Sequence, residues 1–320
     1  INKFKHLKGL EMNFIVFPGQ GSQKIGMGKE LSDNFIEAKQ VFEEVNDALN
    51  FDLTNGMWKG TDKEISLTSN AQPALMACSI ATLRVLNKIT NKKLPDLADY
   101  VCGHSLGEYT AMTAAEVFSL HQCAILLRLR GNAMQEAVPI GKGAMAALIG
   151  TNLETAKEVS DKVKSYGVCD IANDNSEGQV VISGDILAVE NAIKLSKDFG
   201  IKRAVILPVS APFHCQLMKP AQIIMENALN ELIFKTPIVP IIPNVNVSPE
   251  TNPDKLRKNL IDQVTGTVRW RETMKFADKQ GVKKVIELGS GKVLSGIAKR
   301  MIKNVVTISI ENTEDFENFI

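Results

Sequence analysis

Gly103-His104-Ser105-Leu106-Gly107 is the stretch of this 320-residue chain that is most informative about its fold and chemistry. It fits the pattern G-x-S-x-G, in which a sharp turn between a strand and a helix exposes a serine hydroxyl. Tyr100-Val101-Cys102 is typical of the end of a buried strand, and residues 108–115 are typical of a helix. Such a serine suits acyl transfer, because backbone N–H groups can stabilise an oxyanion. The pattern alone also fits an ordinary glycine-flanked turn.

The composition favours a large globular domain and excludes several functional classes. Hydrophobic residues make up 44% of the chain, which indicates one large domain or a domain with an insertion. The formal net charge of +1 gives no reason to expect a nucleic-acid partner. We expect neither a membrane span nor a secretory signal, because no apolar run is long enough and the first residues are basic and polar.

Five cysteines are scattered along the chain without a C-x-x-C pair. Their odd number argues against a disulfide framework, so we expect reduced thiols and a cytoplasmic protein. His214-Cys215 could suggest a cysteine nucleophile beside its base. Neighbouring side chains in an extended segment point in opposite directions, which disfavours that interpretation. We also expect no metal and no cofactor, and a monomer.

The order of predicted elements indicates an α/β fold with an insertion. Residues 1–11 are interpreted as an N-terminal extension, and a buried strand follows at 13–17. Residues 12–138 and 210–320 are predicted to form a large α/β subdomain, a hydrolase-like core with a parallel sheet. Between them, residues 139–209 show the order βαββαβ, which predicts a small ferredoxin-like subdomain.

Two glycine-rich turns raise the alternative of phosphate binding. Residues 18–23 follow the first strand, and residues 289–292 follow a predicted strand near the C-terminus. Neither has the Rossmann or Walker spacing, so tight structural turns are the favoured interpretation of both.

Four histidines are available as a base for Ser105, and His214 is the best placed in sequence. It lies in the proline-bounded loop 210–215, directly after the predicted insertion, so it can approach Ser105 from another part of the chain. There it could take the serine proton. His104 is expected to point away from the serine side. A purely structural role for His214 stays open at this point.

Arg130 lies on an otherwise apolar stripe of the predicted helix after Ser119, with Cys123, Leu126, Leu127 and Met134. A buried cation must be paired. The partner is either a protein carboxylate or an anionic substrate held by the planar guanidinium. Arg128 falls off the stripe and is expected to be solvated. A nucleophilic serine, a remote histidine and an inward arginine suggest an acyl group that carries a carboxylate.

The chain closely resembles the malonyl-CoA:acyl carrier protein transacylases of bacterial type II fatty acid synthesis. The resemblance extends in order from Met12 to the C-terminal region. The matching stretches are 17–23, 103–109, 130–131 with 134–139, 178–184, 212–215, 263–264 with 268–270, and 287–289.

The resemblance implies a role for each matching residue. Ser105 would be the acylated nucleophile, His214 the general base and acid, and Arg130 the ligand of the malonyl carboxylate. The backbone N–H groups of Gln20 and Leu106 would form the oxyanion hole, in place of a phosphate cradle. The backbone carbonyl of Gln263 would orient His214. The implied substrates are malonyl-CoA and phosphopantetheinylated acyl carrier protein.

The sequence departs from the family pattern at one site and carries a bulky side chain at another. Gly266-Thr267 stands where Asn-Pro is frequent, and Phe213 precedes the histidine where smaller residues also occur. We expect the Phe213 ring to disfavour an α-methyl on the malonyl group. Lys299, Arg300 and Lys303 could contact an acidic carrier protein or form a solvated helix face. The rival functions are a serine esterase or thioesterase, and a non-catalytic carrier-protein binding module.

Overall fold

The computed structural model describes residues 12–317 and Phe319, so the predicted extension over residues 1–11 lies outside the described residues. The strands in this part of the chain are β1 (Asn13–Phe17), β2 (Tyr100–Gly103), β3 (Gly143–Ile149), β4 (Cys169–Ser176), β5 (Gln179–Asp185), β6 (Arg203–Ile206), β7 (Lys284–Leu288) and β8 (Val306–Ile310).

The helices are α1 (Lys29–Asn34), α2 (Ile36–Leu49), α3 (Leu53–Lys59), α4 (Asp62–Ser66), α5 (Thr68–Thr90), α6 (Leu94–Leu97), α7 (Leu106–Ala114), α8 (Leu120–Glu136), α9 (Leu153–Lys162), α10 (Ile186–Leu195), α11 (Lys219–Asn230), α12 (Pro253–Gln263), α13 (Trp270–Gln280), α14 (Val293–Met301) and α15 (Thr313–Glu317). Two short 3₁₀ helices cover Lys164–Tyr166 and Gln216–Met218. Within residues 12–317, none of the helices combines the length and apolar character needed to cross a membrane.

The first sheet is parallel, with strand order β2-β1-β7-β8. Both of its faces are buried, as expected for a parallel sheet with crossover helices. Alternate residues of β1 show this directly. Ile15 and Phe17 pack into the core that contains α2, α5, α7 and α8, whereas Phe14 and Val16 pack into the core that contains α13 and α14. The predicted parallel α/β arrangement is therefore present.

The second sheet is antiparallel and is built from residues between β2 and β7. Its element order is β3-α9-β4-β5-α10-β6, and its strand order is β4-β5-β3-β6. One face packs on α9 and α10 in a hydrophobic cluster of its own. Backbone hydrogen bonds from Asp174 N–H to the Val268 carbonyl and from Val268 N–H to the Ala172 carbonyl join β4 to the segment before α13.

The carboxyl ends of the parallel strands meet at one edge of the sheet. There the chain turns after β1 at residues 18–20, after β2 at residues 104–105 and after β7 at residues 289–292. Open α/β sheets place their ligand sites at this edge. The segment 239–245 is irregular, and Ile241 is its one residue in β-bridges among those described. Pro240 and Pro243 lack the N–H groups that a longer ladder would need.

Candidate active site

Ser105 occupies the sharp turn between β2 and α7. Its backbone has φ +54° and ψ −110°, a conformation that is uncommon for a residue with a side chain. The turn depends on the flanking glycines. A Cβ on Gly103 would lie 1.9 Å from the Gly107 carbonyl oxygen, and one on Gly107 would lie 2.3 Å from the Phe17 carbonyl oxygen. The G-x-S-x-G pattern therefore reflects close backbone packing against β1.

His214 is the histidine that reaches the serine. Its Nε2 lies 2.7 Å from Ser105 Oγ, and its Nδ1 lies 2.9 Å from the Gln263 carbonyl oxygen. Because a carbonyl only accepts, Nδ1 must carry the proton, and Nε2 is free to accept from the serine hydroxyl. Burial, together with the charge of Arg130, lowers the pKa of His214 to about 3. The imidazole is therefore neutral at pH 7, and its Nε2 can accept a proton.

Arg130 is 2% exposed and has only neutral partners among the described residues. Its Nη1 donates to Gln72 Oε1 at 2.7 Å, and its Nη2 donates to Gln263 Oε1 at 2.9 Å and to Ser105 Oγ at 3.1 Å. The Tyr109 ring lies beneath the guanidinium, 5.4 Å from the ring centroid. Of the two partners that the sequence left open, the direct protein carboxylate is not found in the described residues.

The peptide of Ser105 is clamped by two amide side chains. Asn244 Oδ1 accepts from the Ser105 N–H at 2.8 Å, and Gln263 Nε2 donates to the Ser105 carbonyl at 3.0 Å. Asn244 Nδ2 also donates to the Gly103 carbonyl at 2.7 Å. These bonds hold the turn in its unfavourable conformation, because each end of the serine peptide has a fixed partner.

Sequence reasoning missed Asn244, Gln72 and the burial of Glu108. Asn244 lies in the proline-interrupted segment before α12 and carries no motif. Gln72 is in α5, where every residue from Ala71 to Leu83 is buried. Glu108 lies in the first turn of α7, a position where an acidic residue is usually exposed, yet it is 0% exposed. Its burial raises its pKa to about 7. The available signal for Gln72 was its position in the largely apolar run 71–83, where a buried amide needs hydrogen-bond partners.

The N–H groups of Gln20 and Leu106 are the pair that the resemblance assigns to an oxyanion hole. Neither donates to another group of the described residues, although Gln20 Nε2 donates to Thr68 Oγ1 at 3.1 Å. Leu106 is the first residue of α7, where N–H groups have no partner within the helix. Both residues line the same cavity as Ser105. Two unpaired donors beside a serine can stabilise an oxyanion.

The serine opens into a cavity of about 790 Å³ between the two sheets. One wall comes from the turns of the parallel sheet and from α4, α5 and α8. The other comes from the antiparallel sheet and the chain that leaves it. Residues that line the cavity include Gln20, Lys63, Gln72, Ser105, Arg130, Met145, Asn173, Leu207, Phe213 and His214. Its volume suits an extended small-molecule substrate.

The remaining candidates do not form a second nucleophilic centre. His104 Nε2 lies 2.8 Å from Asn175 Oδ1, away from Ser105 Oγ. Cys215 Sγ contacts the Pro212 carbonyl at 3.0 Å, and burial raises the pKa of its thiol to about 11. The thiol of Cys215 therefore keeps its proton at neutral pH, which makes it a poor nucleophile.

The glycine-rich turn at 289–292 is not a phosphate loop. The buried carboxylate of Glu287 accepts from the N–H groups of Leu294 and Ser295, so the amino end of α14 already holds an anion from the protein. This helix then runs back to the amino edge of the sheet. Its last turn carries Lys299 and Arg300, and a carrier-protein contact there stays a prediction.

Arg128 is not simply solvated as predicted. Its Nη1 donates to the Ser69 carbonyl at 3.1 Å and to Asn70 Oδ1. The Ser69 carbonyl is available because Pro73, four residues later in α5, has no N–H to donate to it. Arg128 therefore satisfies a helix carbonyl that the proline leaves without a partner.

A protein family, curated proteins and solved structures all resemble this chain. Residues 14–314 match the acyl transferase domain. The chain is 43% identical over 303 residues to the malonyl CoA-acyl carrier protein transacylase of Bacillus subtilis, covering 94% of each protein. It superposes with a TM-score of 0.94 on the acyl-carrier-protein-S-malonyltransferase of Bartonella henselae, at 49% identity, covering 96% of this chain and 98% of the other.

A further solved neighbour is a malonyl-transacylase in complex with its type II PKS acyl-carrier protein. The TM-score is 0.92 at 39% identity, with 96% of this chain and 98% of the other covered.

Proposed function

This chain belongs to the malonyl CoA-acyl carrier protein transacylases of the acyl transferase family, and on that premise we propose that it moves malonyl from CoA to acyl carrier protein through a malonyl ester on Ser105. The protein is an acyltransferase, and its malonyl transfer supplies fatty acid biosynthesis.

The environment of Arg130 is the observation that carries the proposal. A guanidinium that is almost fully buried beside Ser105 Oγ has neutral partners only, so its charge is available to a ligand. The malonyl carboxylate supplies an anion that can contact the guanidinium directly, and it matches the planar donor group. A neutral ester would offer the guanidinium no anion to bind.

In the first half-reaction, Ser105 Oγ attacks the thioester carbonyl as His214 Nε2 takes the hydroxyl proton. The N–H groups of Gln20 and Leu106 stabilise the oxyanion, each contributing roughly 3 kcal/mol. The C–S bond then breaks, and the CoA thiolate takes the proton from His214. The charge of the imidazolium is offset by the Gln263 carbonyl that accepts from Nδ1.

The second half-reaction reverses these steps with a different thiol. His214 takes the proton of the phosphopantetheine thiol, the thiolate attacks the malonyl ester, and the proton returns to Ser105 Oγ as the C–O bond breaks. This sequence is ping-pong, and it requires neither a metal nor a redox cofactor.

A serine esterase or thioesterase is the main rival function. Its usual triad has a carboxylate on the histidine, whereas His214 Nδ1 faces a backbone carbonyl. It would also gain nothing from Arg130. A non-catalytic carrier-protein binding module would have no use for a serine within 2.7 Å of a neutral histidine.

Intact-mass measurement on the full chain tests the proposal. We expect incubation with malonyl-CoA to add one malonyl group, and subsequent holo acyl carrier protein to remove it and become malonylated. Acetyl-CoA should label the enzyme far less, because it has no carboxylate for Arg130. Release of malonate to water at the same rate with and without carrier protein would favour the hydrolase. No adduct at all would revive the binding module.

Replacing Phe213 by serine should relax the choice of acyl group. Phe213 lines the cavity next to His214 and is 8% exposed. Removing its ring makes room for an α-methyl, and a single methylene difference in an apolar pocket changes the rate about 10- to 200-fold. The measurement is the ratio of kcat/KM for methylmalonyl-CoA to that for malonyl-CoA. An unchanged ratio in F213S would show that another residue limits the pocket.

We propose the following domain organisation. Residues 12–138 and 210–320 form a hydrolase-like large subdomain, and residues 139–209 form a ferredoxin-like one. The separate core and the strand order β4-β5-β3-β6 of the second sheet support this division. We further propose a cytoplasmic monomer that needs no membrane or nucleic acid. The five free cysteines agree with a reducing compartment.

A further inference from the structure

Glu108 is a fully buried carboxylate to which the transfer mechanism gives no role. It lies in the first turn of α7, three residues after Ser105, and is 0% exposed. Its Oε2 accepts from Gln263 Nε2 at 2.7 Å and from the Asn244 N–H at 3.0 Å. Burying a charged group is costly unless an opposite charge or strong hydrogen bonds compensate it. The position therefore calls for a counter-charge.

The amide of Gln263 connects this carboxylate to Arg130. Its Nε2 faces Glu108, and its Oε1 accepts from Arg130 Nη2 at 2.9 Å. A carboxylate only accepts and a guanidinium only donates, so the two ends fix how the amide is turned. The buried cation and the buried anion thus compensate each other through one polarised amide. No direct ion pair is needed, and the guanidinium stays available to a ligand.

We propose that Glu108 is the internal counter-charge of Arg130, positioned through Gln263, and that it takes up a proton when the malonyl carboxylate binds Arg130. The inference rests on the proposed function, because it requires a substrate carboxylate on Arg130. Before binding, the buried site holds one carboxylate and one guanidinium. After binding it holds two carboxylates, and one of them must lose its charge or remain uncompensated.

Glu108 is the group best suited to take that proton from solvent. Burial already raises its pKa to about 7, in spite of the hydrogen bonds and the nearby guanidinium that lower it. A second anion near Arg130 raises the pKa of Glu108 further.

The other titratable or charged groups near Glu108, from the neighbouring elements and from α7, are Cys102, His104, Tyr109, Cys123, Arg130 and His214. The thiols and the phenol have raised pKa values and stay neutral. The pKa of each imidazole is lowered.

Titration calorimetry in buffers of different ionisation enthalpy measures the proton count. The S105A enzyme binds malonyl-CoA without reacting. At pH 8 we expect uptake of about half to one proton per malonyl group, falling toward zero at pH 6, where Glu108 is already protonated. Acetyl-CoA, which lacks the carboxylate, should cause no such uptake and controls for the CoA phosphates.

Two further variants locate the proton. Adding E108Q to S105A should abolish the uptake while malonyl-CoA still binds, because the new amide oxygen can accept from Gln263 and Asn244. E287Q is the matched control, since Glu287 is also 0% exposed and accepts two N–H groups, but at α14 outside the cavity. It should keep the full uptake. Should E108Q fail to fold, the infrared band of a protonated carboxyl group decides the same question, if it appears with malonyl-CoA and not with acetyl-CoA and does not shift when the malonyl carboxylate carries ¹³C.

The outcomes separate this inference from the proposed function. If E108Q takes up as many protons as before, the proton goes to another group. If S105A takes up no proton when malonyl-CoA binds, binding is not coupled to protonation of Glu108. Either result overturns the inference alone, provided that R130A still weakens malonyl-CoA binding. If S105A with R130A binds malonyl-CoA as tightly as S105A, the substrate carboxylate is not on Arg130 and the proposed function fails.

Discussion

Replacing Ser105 by alanine should lower malonyl transfer about 10⁴- to 10⁶-fold, the range seen when a catalytic nucleophile is removed. The remaining groups of the site still bind the thioester, but Ser105 Oγ is the atom that His214 Nε2 approaches at 2.7 Å. The measurement is carrier-protein malonylation in steady state, together with intact mass after malonyl-CoA alone. We expect no adduct on S105A.

Ser66 provides a matched control for this variant. It lies on the rim of the same cavity, at the end of α4, and is exposed. S66A should transfer malonyl within about twofold of the unmodified chain, because its side chain touches none of the reacting atoms. A malonyl adduct that persists in S105A would place the nucleophile elsewhere and would require a different mechanism.

Replacing Arg130 by alanine should lower kcat/KM for malonyl-CoA about 10²- to 10³-fold, since hydrogen bonds to a charged group contribute roughly 1.5–3 kcal/mol each. The acetyl group has no carboxylate for Arg130 to bind, so the kcat/KM of acetyl transfer should fall much less. The decisive quantity is the malonyl-to-acetyl ratio of kcat/KM. R130K tests geometry separately, because lysine keeps the charge without the planar pair of donors.

Arg128 is the matched control, on the same helix and two residues away. It binds the Ser69 carbonyl and Asn70 outside the cavity, so R128A should leave the malonyl-to-acetyl ratio unchanged. An equal loss of malonyl and acetyl transfer in R130A would make Arg130 a structural residue that holds Gln72 and Gln263. The acyl group would then be selected elsewhere in the cavity.

Local patterns in the sequence predicted much of the fold and of the candidate site. The glycine spacing around Ser105 predicted the turn, because only glycine avoids the backbone clashes found at 103 and 107. The helical period of α8 placed Arg130 inward, where it is 2% exposed. The family named from the ordered motifs is confirmed by the comparisons.

Contacts between distant segments were harder to foresee. The sequence could not show that His214 lies beside Ser105, since 109 residues and a whole antiparallel sheet separate them. Nor does the sequence distinguish Glu108 from an exposed acidic residue in the first turn of a helix. Its burial depends on the Asn244 loop and on the end of α12, which close over it.

The sequence by itself determined the serine turn, the inward arginine and the order of the elements, because each follows from local sterics or from the period of a single helix or strand. Only the tertiary structure decided what compensates the buried charge of Arg130. The sequence allowed a protein carboxylate or a substrate. The fold places the amide of Gln263 between Arg130 and Glu108. Charge compensation at that distance depends on the packing of three helices, which no local pattern specifies.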